Sequence, residues 1–240
     1  MSKGKHFKEK KKMGIISIFF LILFIGIFLY TSSNLVVWYK SNKELEKNEK
    51  DIFNKVVTTS EENPEKIEID FKKLQEINSD VKGWITIENT NINYPILQTN
   101  NNEYYLKHDI NKKYSSCGSI FLDCDSDASF TKKNTVIYGH NLLNGKMFAE
   151  LTNILDGKLG NKINIKIYLP EEEKEYEVFS VYMGEPSLEM KQNSSYEDIL
   201  DKSNLKFEYK EENKENNIIT LITCNSNSEK RIVVTALENN

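Results

Sequence analysis

Ile218-Ile-Thr-Leu-Ile-Thr-Cys-Asn-Ser-Asn-Ser-Glu-Lys-Arg-Ile-Val-Val-Thr-Ala-Leu237 places two apolar, β-branched runs on either side of a polar turn. Such runs favour extended backbone, and a polar insertion between them favours a return. Paired antiparallel, they bring Cys224, at the end of the first, and Arg231, at the start of the second, to one rim of a sheet. That pairing decides the fold class, because it makes the C-terminal third β rather than helical.

Outward from this hairpin, further short runs read as strands: Trp84–Glu88, Asn91–Leu97, Ser119–Asp123, Thr135–Tyr138, Ile163–Leu169, Tyr176–Met183 and Leu205–Tyr209. Alternation is clear in Ile163-Asn-Ile-Lys-Ile-Tyr-Leu169 and in Leu205-Lys-Phe-Glu-Tyr209. Phe71–Ile77 reads as a short helix. So do Lys146-Met-Phe-Ala-Glu-Leu151 and Tyr196–Leu200, the latter with Ser194 or Ser195 as cap and Glu197 and Asp198 in its first turn. Many short strands separated by turn signals predict a mostly β domain, a closed barrel or sandwich rather than a parallel sheet.

Scarcity marks the chemistry. Arg231 is the only arginine among 32 basic residues, so one planar, forked donor stands where the chain otherwise uses lysine. Of the three histidines, His6 lies in a basic tail and His108 in a polar loop. His140 follows the run Thr135-Val-Ile-Tyr-Gly139 directly, a position suited to an acid or base beside a nucleophile. The bland reading makes Cys224 a core residue, Arg231 a surface charge and His140 a structural strand end.

Cys117 and Cys124 bracket a predicted strand. Seven extended steps span roughly 23 Å, far beyond disulfide reach, so the two are not expected to pair with each other. They are also expected to lie away from the strand ends that hold His140 and Cys224. Their spacing fits no zinc pattern, and neither metal nor cofactor is implied.

The net charge of −4 hides an asymmetry. Residues 1–12 hold six lysines against Glu9, a balance of +5 that leaves −9 for the rest. An acidic body has no basic stripe for phosphates, which excludes nucleic acid as a partner. The basic start runs into Gly14-Ile-Ile-Ser-Ile-Phe-Phe-Leu-Ile-Leu-Phe-Ile-Gly-Ile-Phe-Leu-Tyr30, and no charge occurs from Met13 to Tyr39. A membrane-spanning helix needs roughly 20 apolar residues. The expectation is an uncleaved single-pass anchor at 14–36, with a cytoplasmic basic tail at 1–13. A cleaved signal peptide is the competing reading, but no A-x-A-like site follows. Residues 37–69 read as a helical stalk with scattered Leu45, Ile52, Phe53 and Val56, ended at Glu62-Asn63-Pro64. A soluble form starting near Asn63 is expected to keep the chemistry, since the stalk carries none of it.

Thr220-Leu-Ile-Thr-Cys224, Arg231 downstream and Tyr138-Gly-His140 upstream resemble the sortases. Asp70-Phe-Lys-Lys-Leu-Gln-Glu-Ile-Asn78, Gly83-Trp-Ile85, Ile92-Asn-Tyr-Pro-Ile-Leu-Gln98, Gly118-Ser-Ile-Phe-Leu-Asp123, Asn141 and Lys146-Met-Phe148 are similar to class B. Two departures are Ile222, where that class often has serine, and a short interval between Cys224 and Arg231. The resemblance covers about residues 70–238 and implies a closed barrel of about eight strands over a catalytic domain at 70–240. It further implies an extracellular transpeptidase in which Cys224 attacks the threonine carbonyl of a secreted protein's C-terminal sorting motif. His140 would carry the proton, while Arg231 and the amide of Asn225 would face the oxyanion. A cell-wall peptide amine would accept the acyl group. Asn102, Leu106, Tyr138 and Thr223 match groove positions, and each could equally be packing. The rivals are an extracellular cysteine protease with the same trio, a pilin-polymerising sortase, and a membrane-tethered binding module with a vestigial site. No lid segment or C-terminal span of the polymerising class is seen.

Overall fold

The computed structural model describes residues 14–59, 67–185, 196–200, 203, 205–207, 215–224 and 230–239. Two compact units divide the chain, one through Lys40 and the other Ser41–Asn240. Helix α1 (Ile15–Val56) runs through that boundary. Its N-terminal part, in the first unit, has a mean hydropathy of 2.5 over its most apolar 18 residues, none of them buried. It is the one helix among the described residues long and apolar enough to cross a membrane.

The second unit is built on a sheet that closes on itself. After α1 come β1 (Val57–Thr59), paired with β2 (Ile67–Ile69), then α2 (Phe71–Ile77). The barrel strands are β3 (Val81–Ile87), β4 (Asn93–Leu97), β5 (Ile120–Leu122), β6 (Asn134–His140), β7 (Asn164–Tyr168), β8 (Glu173–Gly184), β10 (Ile218–Cys224) and β11 (Arg231–Glu238), with β9 (Leu205–Lys206) appended to β8. Their order is β11-β10-β6-β5-β4-β3-β7-β8, and β8 pairs with β11 to close an eight-stranded ring. The barrel is mixed: β6 and β10 run parallel, as do β4 and β5, and the remaining pairs are antiparallel. Short helices α3 (Leu151–Leu155) and α4 (Tyr196–Leu200) complete the domain.

Alternation sorts the strand side chains into two cores. Ile137, Leu221, Ile232 and Val234 join Ile85, Ile120, Phe148 and Ile165 in one buried cluster. Their neighbours Val136, Tyr138, Ile218, Ile222 and Val233 join Phe71, Leu74, Trp84 and Ile199 in the other. Strands buried on both faces need apolar residues at nearly every position, so β6, β10 and β11 read as continuous runs. Leu74 of α2 is fully buried, and its replacement by alanine would cost about 2–5 kcal/mol. Helix α2 starts where the Asp70 carboxylate accepts from the Lys73 amide at 3.0 Å, and it stops at Asn78, which turns extended.

The C-terminal turns of α1 lie on the barrel: Ser41, Leu45, Ile52 and Val56 are buried within the second unit. The spacing of Leu45, Ile52 and Val56 is the apolar stripe of a helix that packs rather than stands free. A chain beginning near Asn63 would lose these contacts and β1. Glu62-Asn63-Pro64 itself lies outside the described residues, and α1 already ends at Val56.

The expected helix at Lys146–Leu151 begins only at Leu151. Gly145 and Met147 take left-handed backbones, with φ of 81° and 57°, and helix cannot propagate through them. The Phe148 amide instead donates to the His140 carbonyl at 2.8 Å. The caps at Ser194 and Ser195, and the far end of Leu205–Tyr209, lie outside the described residues.

Candidate active site

β6 and β10 pair without a break from Ile218↔Asn134 to Cys224↔His140. Paired strands lie about 4.8 Å apart, so the backbones of Cys224 and His140 are neighbours at one rim. The antiparallel register of β10 and β11 runs from Ile218↔Leu237 to Ile222↔Val233. Carried on to the strand ends, it sets Arg231 beside Cys224. On its other side Arg231 pairs with Gly184 of β8. The Thr223 hydroxyl accepts from the Ile232 amide at 2.9 Å, and the Thr223 carbonyl accepts from Arg231 Nη1 at 3.3 Å. Thr223 is buried, so it shapes the hairpin end from below. The Cys224 side chain and Asn225 lie outside the described residues.

His140 is half-buried, and its ring meets Leu106 and Gly118. Its Nε2 is 2.8 Å from the Leu106 carbonyl oxygen. A carbonyl only accepts, so Nε2 carries the hydrogen and Nδ1 is the ring position left to exchange a proton. Gly118, at φ +59°, passes so close that a Cβ there would lie 2.8 Å from His140 Cδ2 and 2.9 Å from the Leu106 oxygen. Gly139 is equally tight, since a Cβ there would meet Phe148 Cγ at 2.7 Å. Leu106 ends a short 3-10 turn, Tyr104–Leu106, whose start is fixed by the Asn101 side chain accepting from the Glu103 and Tyr104 amides at 3.0 and 2.9 Å. Leu106 therefore meets His140 through its backbone.

Asn102 and Tyr138 gather on Asp123. That carboxylate, almost fully buried, accepts from Asn102 Nδ2 and from the Tyr138 hydroxyl, both at 2.9 Å. Asn102 Oδ1 accepts from the Cys124 amide at 2.7 Å. Both residues thus have polar atoms engaged within the domain. Asp123, Cys124 and Asp125 hold their potential metal-ligating atoms within 4.8 Å of one another, but the Asp123 carboxylate is already occupied by these bonds and one from the Asp125 amide. His108 stacks on Tyr104 with ring centroids 4.0 Å apart and belongs to the loop, not to the rim.

Cys117 carries a free thiol and forms no disulfide with Cys124. Cys117 is fully buried, and burial pushes its thiol above the usual range. It stands next to Gly118, so the expectation that it lies away from His140 is corrected. Gly118 and Asp123 are the residues that reading the sequence missed. Their signal lay in Gly118-Ser-Ile-Phe-Leu-Asp123, a strand with a glycine before it and a carboxylate after it.

A barrel of this topology matches known proteins. The sortase domain model matches residues 85–239. Sortase B of Listeria monocytogenes is 32% identical over 222 residues, covering 85% of this chain and 88% of that protein. Sortase B of Staphylococcus aureus is 28% identical over 227 residues, covering 90% of this chain and 93% of its own. Among solved structures, sortase B of Bacillus anthracis superposes with a TM-score of 0.68 at 31% identity, over 85% of this chain and 98% of that one. Sortase B of Clostridium perfringens gives 0.63 at 34%, over 71% and 100%. The chain belongs to the sortase family of cysteine transpeptidases. Within it, the chain is of the sortase B type.

Proposed function

We propose that this transpeptidase cleaves a C-terminal sorting motif of secreted proteins after threonine and joins the threonine carbonyl to a cell-wall peptide amine. The observation that carries the reading is the pairing of Cys224 with His140 at the ends of β10 and β6, with Arg231 opening β11. The Cys224 thiolate attacks the threonine carbonyl, forming an S–C bond and an oxyanion faced by Arg231 and the Asn225 amide. The C–N bond then breaks, and His140 gives its proton to the leaving amine. The incoming amine attacks the thioester and loses a proton to His140; the C–S bond breaks, and thiolate and imidazolium return with an amide as product. Asn102, Leu106, Tyr138 and Thr223 border the groove in this reading, Leu106 through the carbonyl that orients His140.

The proposed organisation is a cytoplasmic tail at 1–13, a membrane anchor at 14–36, a connecting segment at 37–69 and an extracellular catalytic domain at 70–240. Lysines before the apolar span and an acidic body after it support that orientation.

The test incubates the full chain in detergent micelles with a panel of labelled sorting peptides, with and without a peptide amine acceptor. An acyl adduct on Cys224 and an amide product that grows with acceptor concentration are expected. Release of the free acid alone, whatever the acceptor, would make the protein a hydrolase.

A further inference from the structure

We propose that residues 41–49 of α1 are a positioning element for His140, clamping one loop that abuts its ring and another that follows it in the chain. The proposal rests on the reading that His140 carries the proton. One loop, residues 106–119, brings the Leu106 carbonyl and Gly118 against the imidazole. Ser41 Oγ accepts from the Ser116 amide at 3.2 Å, two residues before Gly118. Asn48 Nδ2 donates to Asp109 Oδ2 at 2.9 Å. Asp109 is buried, and its Oδ1 accepts the Asn111 and Lys113 amides, both at 2.9 Å, so this one carboxylate links helix and loop.

The other loop, residues 141–148, follows His140 directly. Lys146 Nζ lies 2.6 Å from Glu49 Oε2, and Asn144 Nδ2 donates to Asn42 Oδ1. Both members of the ion pair are largely shielded, at 31% and 21% side-chain exposure, which strengthens it relative to a surface pair. Tyr94 also holds this loop: its hydroxyl accepts from the Met147 amide at 3.2 Å, and burial, then the nearby Glu49 charge, push that hydroxyl above the usual range. Met147 sits at φ +57°, a conformation that persists only when its surroundings hold it. Phe148, next along, bonds the His140 carbonyl.

Between helix and barrel lies a cleft of about 380 Å³ lined in part by Leu45, Ile52, Trp84, Tyr94 and Gly118. Leu45 and Ile52 join the two apolar cores beside this cleft, and the polar bonds at Ser41, Asn48 and Glu49 tie the helix to both loops. Gly118 lines this cleft and also abuts the ring, which gives a displaced helix a short route to His140.

The test uses the full chain in detergent micelles, as Ser41→Ala, Glu49→Ala and the charge exchange of Glu49→Lys with Lys146→Glu. Ring resonances of His140 are read by NMR, assigned with His140→Gln, beside single-turnover acylation and thermal melting. The single variants are expected to move the His140 resonances and to slow acylation about ten- to a hundred-fold with KM little changed, as a misplaced proton carrier does. The exchanged pair is expected to recover most of both. Unmoved resonances and normal acylation in folded Glu49→Ala would reduce the helix to a packing element. Should Glu49→Ala not fold, Ser41→Ala, which removes one hydrogen bond, decides in the same way. The resonances need no turnover, so a chain that fails to acylate any peptide would sink the proposed function and leave this inference to the spectra.

Discussion

Cys224 and His140 are register partners at the last positions of two parallel strands, β10 and β6. Parallel pairing sets the two backbones at the same height on the rim. In the proposed mechanism the nucleophile and its proton carrier act as a unit, so losing either removes most of the rate. Cys224→Ala is expected to abolish the acyl adduct. His140→Ala is expected to slow acylation by at least about 10²–10⁴. Mass spectrometry of the protein after one turnover checks both, and an adduct on Cys224→Ala would move the nucleophile elsewhere.

Gly118→Ala is the variant that tests how His140 is held. The backbone there is left-handed, and a Cβ would sit 2.7 Å from the Tyr105 oxygen and 2.8 Å from His140 Cδ2. Strain of this kind costs about 1–3 kcal/mol, and a displaced imidazole costs up to about 10²-fold in rate. Melting and single-turnover acylation are expected to fall together. A folded Gly118→Ala protein with wild-type acylation would show that His140 tolerates displacement.

Legibility followed locality. The β10–β11 hairpin was visible because two apolar runs flank a polar turn, and the antiparallel return follows from that alone. The parallel pairing of β6 with β10 joins residues more than eighty positions apart and leaves no local mark, yet it is what brings His140 to Cys224. Asp123 and Gly118 were hidden for a similar reason: their roles depend on Asn102, Tyr138 and His140, which only folding assembles. Met147 defeated the helix reading because an apolar spacing carries no sign of a positive φ. In α1 the stripe of Leu45, Ile52 and Val56 was legible, whereas the surface that receives it was not.

Cys117 gives a prediction about pH. Its thiol is raised by burial, so the folded protein holds this proton where the unfolded chain has lost it. The corresponding stability is fully present below about pH 8.5, the ordinary cysteine value, and is lost as pH rises through the folded value. The difference in unfolding free energy between the wild type and Cys117→Ala should therefore narrow in alkali. Denaturant titrations at pH 7 and pH 10 check it, and a gap that widens would contradict the burial of the thiol. Cys124→Ala is expected to leave acylation within a few-fold.

Arg231→Lys asks whether the single arginine supplies charge or geometry. Arg231 opens β11 beside the end of β10, and one arm of its guanidinium already donates to the Thr223 carbonyl. A guanidinium can hold that bond and still present further donors in a fixed plane, which an ammonium at the end of a flexible stem cannot do. If charge alone matters, lysine, which this chain uses everywhere else, retains most of the activity. If a directed donor meets the developing oxyanion, its removal costs about 10²–10³ in rate, roughly 2.7–4 kcal/mol. The second outcome is expected, with thioester formation slowed and the fold unchanged. Single-turnover acylation by a labelled sorting peptide measures it, and circular dichroism confirms folding. A folded Arg231→Lys protein that acylates at the wild-type rate would leave Arg231 as a bystander charge.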